Sequence, residues 1–120
     1  MAAGPPLAFE AYTGARMAAV RLERWNIADG PLSEKRMMRV LEREGYEVAV
    51  YAYREGTVFT EHEHAQEKCD AVLEGTLRIA VGGSSYDLKP GDRLYLPAGT
   101  RHRAEVVGRA TVLSLDATKR

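Results

Sequence analysis

The sequence has a single cysteine, Cys69, in 120 residues. One thiol excludes an intramolecular disulfide and suits a reducing compartment. An excess of charge is also missing, since 17 Lys and Arg balance 17 Asp and Glu. Nucleic-acid binders normally carry a basic excess or stripe, so the balance argues against a dedicated role of that kind. Electrostatic docking to an anionic membrane loses its basis for the same reason. No apolar run approaches the roughly 20 residues of a membrane span. The first residues, MAAGPPLAFEAYTGAR, lack a basic start followed by an apolar stretch, and do not read as a secretory signal. The expected location is cytoplasmic. No internal repeat is visible, and the length fits one domain with a modest core.

Residues 1–16 read as a loose arm rich in Ala, Gly and Pro. Val20, Leu22 and Trp25 fit an edge strand with imperfect spacing. Asp29-Gly30-Pro31 and Ser33 are helix-start signals, after which Leu32, Met37, Val40 and Leu41 keep helical spacing until Gly45 stops the helix. From Tyr46 the period changes to two. Val48, Val50 and Ala52 alternate with their neighbours, as do Leu77, Ile79 and Val81. Gly82-Gly83 reads as a tight hairpin into Ser84–Leu88. Leu94 and Leu96 precede Pro97-Ala98-Gly99, another strand begins near His102, and the last strand spans Thr111–Leu115. Seven or eight short strands with Gly and Pro at the breaks predict a small barrel or a double-sheet sandwich.

Histidine is scarce as well, and its three copies are concentrated: His62 and His64 in one stretch, His102 in another. Residues two apart on a strand share a face, so His62 and His64 can grip one ion, and a neighbouring strand can bring His102 to it. Three imidazoles suit a divalent iron, zinc, nickel or manganese and leave positions open for water or substrate.

The frames around these histidines resemble the two motifs of the cupin superfamily. Gly56, His62, His64 and Gly75 match the first motif, and Gly91, Pro97, Gly99 and His102 match the second. The resemblance covers residues 46–115. It implies an all-β fold, a small antiparallel jelly-roll barrel with one N-terminal helix and a metal near one mouth. Residues 1–45 are then an arm and helix packing on the barrel, and residues 46–120 the cupin barrel domain, within one structural domain. Two positions depart from the family pattern: Lys68 stands where the family has a metal-binding glutamate, and Val106 where it has an asparagine.

An ammonium has no lone pair for a metal. Lys68 either balances Asp70 or Glu67, or holds an anionic substrate or serves as a base. Asp70 shares the face of Lys68 and either pairs with it or reaches the metal, directly or through water. Lys68 and Asp70 are therefore the candidate catalytic residues beside the metal ligands His62, His64 and His102. Cys69 faces the other way and reads as a small buried residue. The expected function is a metal-dependent enzyme, a dioxygenase, isomerase or lyase, acting on a small anionic keto-acid or sugar-acid-like substrate. The alternative is a non-catalytic module that holds a small-molecule ligand, with or without metal. The near-zero charge and the exposed edges of so small a barrel favour a homodimer, with Val20, Leu22 and Trp25 on a swapped strand at the interface.

Overall fold

A computed structural model describes residues 19–120; the arm at residues 1–16 lies outside the described residues. These contain strands β1 (Arg21–Glu23), β2 (Tyr46–Tyr53), β3 (Val58–His62), β4 (Lys68–Glu74), β5 (Leu77–Val81), β6 (Ser84–Leu88), β7 (Arg93–Leu96), β8 (His102–Val106) and β9 (Val112–Lys119), with helix α1 (Glu34–Arg43) between β1 and β2. They form a five-stranded sheet in the order β1-β7-β4-β9-β2 and a four-stranded sheet in the order β3-β8-β5-β6. Every pairing is antiparallel. This is the jelly-roll barrel with one N-terminal helix that the strand pattern and the motif resemblance imply.

Side-chain alternation sorts the apolar residues into two layers. Val72, Leu94, Leu96 and Val112 of the larger sheet face Leu77, Ile79, Leu88 and Val106 of the smaller one and form the inner core. Their neighbours Cys69, Ala71, Leu73, Tyr95, Leu115 and Ala117 point to the other side, where Met37 and Leu41 of α1 cover them. The central strands of the larger sheet are thus buried on both faces, which is why β7 has no exposed residue. Ser33 caps α1, its hydroxyl accepting from the Arg36 N–H at 3.1 Å. Helical spacing puts Met37, Val40 and Leu41 on one buried face. Each fully buried Leu or Met contributes about 1.5–3 kcal/mol.

Two boundaries differ from expectation. The last strand runs to Lys119 and not to Leu115, because polar-apolar alternation continues past Leu115 and pairs with the full length of β2. Trp25 lies beyond β1, its indole donating to the Gly30 carbonyl at 2.8 Å while its ring packs on the helix-side core. Val20 and Leu22 pack against the inner core, and β1 pairs with β7 of the same chain.

Candidate metal centre

His62 owes its direction to an irregularity in β3. The register with β8 begins Val58↔Glu105 and Phe59↔Ala104 and then shifts by one residue to His62↔His102. Phe59 faces the barrel interior. Strict alternation from Phe59 would turn Glu61 and Glu63 inward; the extra residue turns His62 inward instead and leaves both glutamates exposed. His64 is not on the strand as expected, since β3 ends at His62. The Gly99 N–H donates to the His64 carbonyl at 2.8 Å and holds it there. Gly99 has φ +78°, so the turn after Pro97 depends on glycine.

The ring tautomers follow from backbone contacts. His62 Nδ1 lies 2.7 Å from the Thr60 carbonyl, and His102 Nδ1 lies 2.8 Å from the Thr100 carbonyl. A carbonyl only accepts, so each Nδ1 carries the proton and each Nε2 presents a lone pair. This is the outer-shell arrangement that orients metal-binding imidazoles. The three ring centroids are 4.3, 4.9 and 5.5 Å apart. One nitrogen from each ring lies within 4.8 Å of the others. Three nitrogens on a shared zinc-sized ion stand roughly 3.3 Å apart, so binding needs a closure of up to about 1.5 Å. Burial, followed by the Lys68 ammonium, holds the His64 imidazole below its usual range; burial does the same for His102, despite its Thr100 bond. Neutral imidazole is the ligating form, so the donor set fits a divalent metal.

The rings open onto a cavity of about 170 Å³. Its remaining polar lining is Lys68, Asp70 and Asp116, and its walls are Tyr53, Phe59, Leu77 and Ala104. Lys68 does not pair with Asp70 or Glu67. Its Nζ lies 2.7 Å from Asp116 Oδ1 and donates to Thr118 Oγ1 at 2.7 Å. The reason is the extra length of β9, which sets Thr118 opposite Lys68 and Asp116 opposite Asp70. Glu67 faces away and accepts from the Tyr46 hydroxyl at 2.8 Å. Asp70 lines the cavity beside Lys68 as expected. Its carboxyl is pushed up to about 7, first by burial and then by Asp116, against the opposing pull of Lys68 and His62. Tyr53 is raised to about 12 by burial, Asp116 and Asp70.

Asp116 is the site residue that the expectations lacked. Its signal was the alternation Ser114, Asp116, Thr118 against Leu113, Leu115, Ala117, which marks a strand continuing with one polar face. Other polar and motif residues of the barrel lie elsewhere. Cys69 is buried in the helix-side core, and that burial keeps its thiol protonated. Arg78 faces out and pairs with Asp87 at 2.8 Å. Arg101 sits on the rim with Glu61 and Glu63. Val106 is part of the inner core.

The family model described as "Cupin domain" matches residues 49–116. An uncharacterized protein of Streptomyces coelicolor, SCO3923, is 29% identical over 87 residues, 72% of this chain and 82% of that protein. Acireductone dioxygenase from Bacillus anthracis, solved with a cadmium ion in its active centre, superposes with a TM-score of 0.64 at 20% identity over 84% of this chain and 78% of that one. A cupin 2 domain-containing protein from Halorhodospira halophila does so with a TM-score of 0.64 at 18% identity over 85% and 76%. At these identities the two structures speak for the fold alone.

Proposed function

This chain belongs to the cupin domain family, and from that premise we propose that it is a metal-dependent enzyme acting on a small anionic substrate. The observation that carries the reading is the convergence of His62, His64 and His102, two of them turned by Nδ1–H contacts to backbone carbonyls. Bound there, a divalent ion would supply Lewis-acid polarisation of a coordinated oxygen. The ligands are neutral and the family's glutamate is absent, so the ion would keep its full charge and several open positions. That favours an anionic, chelating head such as a 2-hydroxy or 2-oxo carboxylate. Lys68 and Asp70 then face the substrate and not the metal, Lys68 being committed to Asp116 and Thr118. The cadmium site of the B. anthracis enzyme lends support by fold analogy.

The test is elemental analysis of untagged protein purified with iron, zinc, nickel and manganese present. About one ion per chain is expected, lost in His62→Ala. No bound ion in the wild type overturns the reading. An ion and a bound chelator without turnover selects the non-catalytic binding module.

We infer, in addition, that two copies associate. The outer edge of β2 has no partner among the described residues, and Val50 and Tyr51 on it are 39% and 47% exposed. An eight-residue edge of this kind invites pairing. Light scattering that reports a monomer at micromolar concentration overturns this.

A further inference from the structure

The residues facing the interior form successive layers. On β8 they run His102, Ala104, Val106, and on β4 they run Lys68, Asp70, Val72; His102 and Lys68 line the cavity while Val106 and Val72 meet in the inner core. Each step of two residues is roughly 7 Å of strand. Asp70 and Asp116, directly opposite each other on β4 and β9, therefore lie one layer below the imidazoles, on the floor of the same cavity.

The floor holds two carboxyls and one ammonium. Lys68 is spent on Asp116 and Thr118. Among the described residues no hydrogen bond or ion pair reaches the Asp70 carboxyl. The half-buried Asp70 carboxyl opens onto the cavity, so a ligand that donates to it gains a hydrogen bond shielded from bulk water. The walls between the imidazoles and the floor are apolar: Phe59, Leu77 and Ala104.

We propose that Asp70 is a specificity-determining residue that accepts a hydrogen bond from a hydroxyl on the substrate's far end, so that the substrate is a small hydroxylated carboxylic acid. This rests on the metal-site reading above, which places the anionic head at the imidazoles. The layer spacing sets the donor about three carbons from the chelating carboxylate carbon, at C4 of a short acid. A cavity of about 150 Å³ holds a benzene-sized molecule, so about 170 Å³ suits a short acid of this size. An ammonium tail is disfavoured because Lys68 shares the floor. The raised affinity of Asp70 for its proton lets it serve as acceptor or donor near neutral pH.

The test compares 2,4-dihydroxybutanoate with 2-hydroxybutanoate by calorimetry on protein loaded with manganese or zinc. The two acids share a chelating head and differ by one hydroxyl. About tenfold tighter binding of the dihydroxy acid is expected in the wild type, falling to parity in Asp70→Ala with metal content unchanged. Asp70→Asn keeps the volume and an acceptor oxygen, and is expected to retain a reduced preference if the alanine variant fails to fold. Equal affinities in the wild type overturn the proposal. So does a preference that survives undiminished in both variants, or the failure of loaded protein to bind either acid. A wild type that takes up no metal overturns the metal-site reading itself, which separates the two failures.

Discussion

Lys68 and Asp116 form an ion pair across β4 and β9, Nζ to Oδ1 at 2.7 Å, with side chains 11% and 29% exposed. Asp116 Oδ1 is buried and has no hydrogen bond aligned on it, so this cation is its compensation. Lys68→Met should therefore destabilise the metal-free protein by about 2–3 kcal/mol. Lys68→Met combined with Asp116→Leu should recover most of that loss. Urea denaturation of the four-protein cycle checks this, and additive losses would show that the pair contributes nothing.

Lys68→Glu should move stability and metal affinity in opposite directions. The new carboxylate sits at the family's ligand position, beside three neutral imidazoles, so affinity should rise at least about tenfold. In the metal-free protein the same carboxylate meets Asp116 and Asp70 with no cation among them, so the melting temperature should fall by about 4–8 °C or more. Competition with a chelator and a melting curve read the two effects. Unchanged affinity would mean that the side chain still turns to Thr118.

How far the site was legible follows from which elements stayed regular. The imidazole trio was readable because His62-Glu63-His64 and His102 lie in spaced frames, and the faces of Cys69 and Asp70 followed from β4 parity alone. The partner of Lys68 was not readable. It depends on which strand neighbours β4, and β9 reaches it only through a long-range pairing that no local pattern encodes. Phe59 and His62 both face inward although three residues apart, which only a bulge permits; alternation rules cannot anticipate that. Strand alternation was legible and a helix packing on the barrel was expected, but not which face it covers, the Cys69, Ala71, Leu73, Leu115 and Ala117 side of the larger sheet.

The two motif glycines Gly75 and Gly99 should differ in tolerance. Both have positive φ, +79° and +78°, so alanine costs about 1–2 kcal/mol at either. At Gly75 an added Cβ would also stand 2.8 Å from the Thr111 carbonyl oxygen, and backbone there has little room to yield. At Gly99 the nearest atom is the mobile end of Glu63, 4.0 Å away. Gly75→Ala should thus lose clearly more stability than Gly99→Ala, the latter acting mainly on His64 and hence on metal affinity. Equal losses in chemical denaturation would contradict this.

Metal binding should weaken as pH falls, but later than ordinary imidazoles would dictate. His64 and His102 are held below the usual 6.5, so protons compete for them only at lower pH. The same depression makes the folded protein bind fewer protons than the unfolded chain. That stability is present above pH 6.5 and is lost as pH falls through the depressed values. Metal titrations between pH 7 and 5 should show a midpoint below 6.5. A midpoint at or above it would mean that the rings are more solvated than their burial implies.

Asp70 should impose the opposite slope. Its carboxyl ionises near 7 in the folded protein against 3.8 ordinarily, because it is buried and faces Asp116 on β9; Lys68 on its own strand and His62 on β3 offset this only in part. The folded state thus binds more protons than the unfolded chain between about pH 4 and 7. The stability contributed by protonated Asp70 is complete below pH 4 and is lost as pH rises through 7. Asp70→Asn cannot ionise, so it escapes that loss. In metal-free protein, Asp70→Asn should be more stable than wild type by about 2–4 kcal/mol at pH 8 and nearly equal to it at pH 4. Both histidine contributions are common to the two proteins and cancel in the difference. Denaturant melts at the two pH values decide it. A difference that is the same at pH 4 and pH 8 would place the Asp70 carboxyl in water and remove it from the cavity floor.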